Sequence, residues 1–416
     1  MASFLDELRA ENEKKGLFTS NAISISYPLG FPILDHKLGA IYVRTMEDGT
    51  IIRDVQVGVP AGSFTIFSGQ TSSGKTTAAI QAAVNIVEPF GERGTIIHRD
   101  AEKSTSEDRV MTITGWTLQQ MKASYNLEKE NNTWEHLLSE INEIGRKKEA
   151  AGKDMMYNTG HRNIYGREIW HYVPTVIIVD SLTKFVSEKE AIDIIAGLTG
   201  GGRSAIYNGI FFRNALEPMY KYNINVIVIA HLDDAMPEMN GRQKPKQMTF
   251  MPNGKYMSGG HKTRLLTSSI INFRPIATKD EIKTEEENGW NGVPTEMYVI
   301  KSRTSMGGFS VIGEFIQEAG FDSRLTLMRY AREQGIIAGR NPNCYFTDMP
   351  DVRFDTRCIM KELADKPQLT RALFTSTRPL LEQLIPVVDT SNDDDLIRGS
   401  KGKVEARSLM REMFTY

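Results

Sequence analysis

The stretch "SGQTSSGKTT" (residues 68–77) constrains this chain more than any other. Gly69, Gly74, Lys75 and Thr76 fill the G-x-x-x-x-G-K-[ST] pattern, with Gln70, Thr71, Ser72 and Ser73 between them and Thr77 after. Glycines at those positions permit a tight turn whose backbone N–H groups converge on phosphate oxygens. In that pattern the lysine reaches the β- and γ-phosphates and the threonine hydroxyl ligates Mg²⁺, so ATP and Mg²⁺ are the expected ligands. A chance match is expected roughly 0.02 times in a chain of this length. The flanks narrow it further. "SFTIFSG" (residues 63–69) reads as a buried strand, and "KTTAAIQAAVNIV" (residues 75–87) as a helix whose amino end faces the anion.

A strand, a phosphate loop and a helix need a sheet to sit in. The runs "TIIHRD", "TVIIVD", "VIVIAH", "SSIINF" and "MYVIK" supply it between residues 95 and 301. Short β-branched runs separated by helical stretches predict a mostly parallel α/β sheet covered on both faces. "IYVRTMEDGTIIRDV" (residues 41–55) reads as a hairpin about Asp48-Gly49. Past Gly320 the strand pattern fades. "LTLMRYAREQGI" and "LLEQL" predict helices of a small α-rich C-terminal domain, followed by a solvated tail holding Asp393, Asp394 and Asp395.

With 50 basic and 52 acidic residues the net charge is −2, so any nucleic-acid footprint must be local. No run approaches the ~20 apolar residues of a membrane span, and the charged opening "MASFLDELRAENEKK" lacks a signal peptide's apolar stretch. The two cysteines, Cys344 and Cys358, have neither disulfide-framework numbers nor metal-ligand spacing, and a reducing cytoplasm is expected.

Four further positions could complete a nucleotide-hydrolysing site. Asp180 ends "TVIIVD", where a carboxylate can hold Mg²⁺ through water; it can also be a strand-ending turn residue. Glu102 lies just past "TIIHRD", at the strand end where ligands of open parallel sheets bind, and could polarise the attacking water. His231 caps "VIVIA", as a γ-phosphate sensor or as a structural histidine. Lys301 and Arg303 close "MYVIK" one residue apart and share a face, as a phosphate clamp or as a solvated sheet edge.

Taken in order, "SGQTSSGKTT", "DAE" (residues 100–102), "VIIVDSL", "VIVIAH", Gly259-Gly260 and "KSRT" (residues 301–304) resemble the RecA family of recombinases, nearest to its phage branch of UvsX-type proteins. The likeness runs from the phosphate loop to the strand after Arg303. It implies a RecA-like P-loop ATPase core over residues 38–318, an N-terminal oligomerisation segment over 1–37, and a C-terminal domain and polar tail over 319–416. It further implies that Glu102 is the catalytic base, that His231 links the γ-phosphate to a DNA-binding loop, and that Lys301 and Arg303 reach the ATP site of a neighbouring subunit. The implied partners are single-stranded DNA, homologous duplex DNA and further copies of the chain in a helical filament, with a recombination mediator and a single-strand-binding protein as accessory partners.

Two DNA-binding loops are expected by the same likeness. One covers residues 186–203, with "LTGGGRS" and Arg203. The other runs from Leu232 to about Ser258. From Met239 to Arg264 there are six basic residues and no acidic one: Arg242, Lys244, Lys246, Lys255, Lys262 and Arg264, interleaved with Phe250 and Tyr256. A basic, aromatic segment suits a single strand through phosphate neutralisation and base stacking, and the same composition also suits a solvated surface loop. Residues 128–171 are longer and more polar than the family's equivalent, "NTGHRNIYGREIW" (residues 158–170) has no counterpart there, and the 41–55 hairpin looks like an insertion. "YPLGFPILDHKLG" (residues 27–39) is shared with DnaB-type helicases, which also carry a K-x-R pair. A hexameric DnaB-type replicative helicase and a non-exchanging RecA paralogue are therefore the alternative readings.

Overall fold

The computed structural model of the protein describes residues 25–45, 49–162, 168–195, 203–234, 248–252, 254–287 and 289–389. Its centre is a ten-stranded sheet: β1 Phe64–Gly69, β2 Thr95–Asp100, β3 Tyr125–Glu128, β4 Thr175–Asp180, β5 Ile224–Asp234, β6 Lys255–Met257, β7 Ser269–Pro275, β8 Val293–Lys301, β9 Phe309–Ile316 and β10 Gly320–Phe321. They lie in the order β10-β9-β8-β7-β1-β5-β4-β2-β3, with β6 pairing β5 off that path. β7, β1, β5, β4, β2 and β3 are mutually parallel, whereas β8, β9 and β10 extend the sheet antiparallel.

Every residue of β1 and β4 is buried, because helices cover both faces and an apolar run meets protein whichever way its side chains point. On one face Ile178, Ile229 and Ile271 pack with Ile80, Ala83 and Val84 of α1, the helix Lys75–Val87. On the other, Phe64, Ile66 and Val179 meet Trp134, Leu137 and Ile141 of α2 (Trp134–Ala151) and Phe211, Phe212 and Met219 of α3 (Arg203–Tyr222). α2 lies within residues 128–171, so that segment furnishes part of the sheet's cover. Buried Arg99 of β2 ties it down, its guanidinium 2.7 Å from Glu140 and paired with Glu128.

The expected hairpin is present as Ala40–Thr45 and Ile51–Gln56, paired antiparallel. The expected C-terminal helices occur as Ser323–Glu333 and Pro367–Glu382. The region is less purely helical than the sequence suggests: Ile337–Ala338, Cys344–Phe346 and Met349–Phe354 form a three-stranded sheet. Its apolar side chains are continuous with the central core, since Leu325, Leu327, Phe346 and Leu369 join the cluster that contains α1. The last described strand, Val387–Asp389, returns to pair parallel with Ile41–Val43. Residues 25–37 of the amino-terminal segment also pack inward, with Leu29 and Leu34 fully buried. Residues 1–24 and the acidic tail lie outside the described residues. Among the described residues no helix is long and apolar enough to cross a membrane.

Candidate functional site: a glycine-rich loop at the carboxyl end of the sheet

β1 stops at Gly69, whose backbone approaches β7 so closely that a Cβ there would lie 2.4 Å from the Phe273 carbonyl oxygen. The loop then turns at Gly74 (φ 83°), which caps α1 in the left-handed region open to glycine. No side chain caps α1, so its first backbone N–H groups and its dipole face outward over the loop. Ser73 Oγ is buried and has no hydrogen-bond partner among the described residues. Lys75 Nζ donates to the Gln70 carbonyl at 2.5 Å. Burial lowers the Lys75 ammonium's pKa, against the opposing pull of Asp180 and Glu102.

Thr76 Oγ1 donates to Asp180 Oδ2 at 2.8 Å. Burial drives the Asp180 carboxyl up to about 7, with Glu102 and Asp100 adding to the rise and Thr76 and Lys75 opposing it. A divalent cation at this hydroxyl and carboxylate would hold Asp180 ionised. One or two protein oxygens beside a phosphate loop is the donor set that magnesium takes with a nucleotide.

Past β2, the turn carrying Glu102 is fixed from both sides. The N–H groups of Ala101 and Glu102 donate to the Asp180 carbonyl at 2.7 and 3.2 Å, while Asp100 accepts from the N–H groups of Ser104 and Thr105. Ser181 Oγ donates to Glu102 Oε1 at 2.5 Å, and His231 Nε2 lies 3.4 Å from the same oxygen. Burial raises the Glu102 pKa, but the bonds from Ser181 and His231 and the nearby charges outweigh it, so the carboxylate lies below its usual range. His231 itself stands in register with Gly69 on the neighbouring strand. The structure thus brings Lys75, Thr76, Asp180, Glu102 and His231 to one end of the sheet.

Lys301 and Arg303 are not with them. Lys301 pairs with Ile270, which pairs with Ile66, and so lies two strands across and about 10 Å along the strands from Gly69. Its ammonium donates to the carbonyls of Arg264, Leu265 and Thr267 at 2.7–2.8 Å, and Arg303 donates to Leu265 at 2.9 Å. Both cations cap the carboxyl end of α4, the helix Gly260–Leu266, where the helix dipole is negative.

The basic loop divides. Arg242, Lys244 and Lys246 lie outside the described residues, as does most of "LTGGGRS"; Arg203 is the first residue of α3. The carboxyl-terminal stem is a short ladder in which Leu232, Asp233 and Asp234 pair with Met257, Tyr256 and Lys255. Phe250 is partly exposed and its ring packs over Gly307 and Gly308. Lys262 is exposed, its stem lying against Gly209. Arg264 is buried, with its guanidinium 5.6 Å from the Tyr256 ring centre, so it braces Tyr256 instead of facing solvent.

Two cavities flank this glycine-rich loop. One, of about 300 Å³, is lined by residues 72–77 with Arg109, Phe315 and Gln317. Arg109 donates to the carbonyls of Gln317 and Glu318, which sets a planar cation and an aromatic ring beside the loop. Sequence reading missed both; the only local signal for Phe315 is the alternation in "FSVIGEFI", and for Arg109 there is none. The other, of about 450 Å³, lies between Gln70, Thr71 and Ser73 and the residues Leu232, Lys255, Arg274 and Tyr298. It joins the glycine-rich loop to the stem of the basic loop. No protein-family model matches the chain, and no curated protein matches it.

Proposed function

We propose that this chain is a DNA-dependent ATPase with a RecA-like core, which polymerises on single-stranded DNA and carries out homologous pairing and strand exchange. The observation that carries the reading is the Glu102–Ser181 hydrogen bond, which holds an ionised carboxylate beside the Thr76–Asp180 pair and within 3.4 Å of His231. Magnesium, bound with ATP, supplies charge neutralisation on the transferring phosphoryl group. Lys75 and the α1 amino end hold the phosphates, while the Thr76 hydroxyl and the Asp180 carboxylate hold the metal. Glu102 accepts a hydrogen bond from the attacking water and orients it in line. Arg109 and Phe315 offer flat surfaces for the base. His231 touches Glu102 and is followed directly by the ladder under the basic loop, which supports a link between nucleotide state and DNA.

The capping of α4 by Lys301 and Arg303, far from their own phosphate loop, supports their use by an adjoining subunit. A filament and a hexameric ring would both present them so. Electron microscopy with ATP and single-stranded DNA separates the two: continuous helical filaments are expected, and closed six-membered rings would turn the reading to a DnaB-type helicase. Hydrolysis measured with and without single-stranded DNA completes the test. Filaments without DNA-stimulated turnover would point to a non-exchanging paralogue.

A further inference from the structure

His98 of β2 is fully buried, yet its Nε2 has no hydrogen-bond partner among the described residues. Leaving a buried polar group unpaired is unfavourable, so such an atom calls for a use. Its surroundings are specific. Nδ1 lies 2.8 Å from the Tyr125 hydroxyl on β3, and Nε2 lies 4.0 Å from Asp180 Oδ2 on β4. That same oxygen accepts the hydrogen bond from Thr76.

The tautomer follows from the partners. With the Tyr125 O–H donating to Nδ1, the ring hydrogen is on Nε2 and points at a carboxylate. The reverse tautomer would set a lone pair against Oδ2. The geometry points to His98 as a positioning residue for Asp180: Oδ2 accepts the Thr76 O–H on one side and faces the His98 Nε2–H on the other, which would leave the lone pairs of the Thr76 oxygen free for the metal. Closing 4.0 Å to a hydrogen bond of about 3 Å needs only a small turn of the Asp180 side chain. Tyr125 holds the ring in the donating tautomer. The inference rests on the reading of Asp180 as a metal-holding carboxylate.

The test is Mn²⁺ affinity, read by electron paramagnetic resonance with a non-hydrolysable ATP analogue bound, in the full chain. Removing a group that orients a metal ligand typically weakens the metal about 10-fold or more. His98→Phe, which fills the space without an N–H, should show that loss while metal-free nucleotide affinity stays unchanged. His98→Gln, whose amide can donate from a similar place, should recover most of it. Tyr125→Phe should weaken Mn²⁺ in the same direction, and serves in place of His98→Phe should that variant fail to fold. Asp180→Asn separates the two claims. If it abolishes tight Mn²⁺ binding while His98→Phe and Tyr125→Phe stay within twofold of the parent, the His98 proposal is overturned and the reading of Asp180 stands. Parental Mn²⁺ affinity in Asp180→Asn overturns both.

Discussion

Lys301 closes the carboxyl end of the helix that begins at Gly260, its ammonium within 2.8 Å of three backbone carbonyls. A cation held there lies away from the glycine-rich loop of its own chain. Arg303→Ala and Glu102→Gln should therefore each be nearly inactive alone, with Glu102→Gln still binding ATP and DNA. Mixed in equal amounts they should regain activity, because an Arg303→Ala subunit that supplies Glu102 can sit beside a neighbour that supplies Arg303. Random assembly of independent sites places that pair at roughly a quarter of interfaces, an upper bound on recovery. With copolymerisation verified by a tagged subunit, an ATPase rate that stays at zero rejects the arrangement between subunits.

His231 touches the Glu102 carboxylate and precedes the ladder from Leu232 to Asp234. As the link between nucleotide and loop, His231→Ala should bind ATP normally while losing ATP-enhanced DNA affinity. Such coupling is typically worth ~1–3 kcal/mol, or about 5- to 150-fold in affinity. Fluorescence-anisotropy titrations with and without the ATP analogue measure it. A ratio equal to the parent's makes this histidine structural.

For the basic loop, salt is the discriminating variable. Replacing Arg242, Lys244 or Lys246 by alanine should flatten the log–log salt dependence of single-strand binding by ~0.7 for each phosphate left without its cation. Nucleotide affinity without DNA should not change. A triple alanine variant with the parental slope assigns the three residues to a solvated surface. Arg264→Ala should behave differently, losing stability through Tyr256 before it loses any salt-dependent term.

Acid should weaken the fold through His171. Burial, helped by the nearby Lys148 ammonium, holds its imidazole down to about 4. Between the ordinary histidine value near 6.5 and about 4, the unfolded chain takes up a proton that the folded chain refuses. Stability due to this group is fully present above 6.5 and falls as pH drops through that window, by at most about 1.4 kcal/mol per pH unit. His171→Gln should make urea-unfolding free energy less steep between pH 6 and 5 by up to that amount. An unaltered slope would show that the ring is protonated as readily folded as unfolded.

What the sequence made legible follows from length and contrast. "TVIIVD" reads as a strand because its apolar run is unbroken, and the helix Lys75–Val87 begins where the glycine-rich loop ends. Lys75 and Thr76 stand out because they complete a local pattern and Asp180 because it ends an apolar run, and the structure puts Thr76 against Asp180. Three-residue strands such as Lys255–Met257 and Cys344–Phe346 hold too few residues for a period of two to register. The helix Trp134–Ala151 reads as a polar insertion because its outward face is charged; its buried Trp134, Leu137 and Ile141 share one face. Arg109 and Phe315 are brought together from distant parts of the chain, and no local spacing encodes that meeting.

The parallel pairing of Val387–Asp389 with Ile41–Val43 turns the described chain into a closed ring without a covalent bond. Closing a loop of that size costs about 5 kcal/mol in chain entropy, more than three residue pairs return, so the clasp holds only after the core has drawn its ends together. A chain ending at residue 386 should keep its core but bare the outer edge of Ala40–Thr45, whose other side is already taken by Ile51–Gln56. Unpaired donors and acceptors along such a strand recruit strands from other molecules, so the loss of this short tail should appear as precipitation before it appears as unfolding.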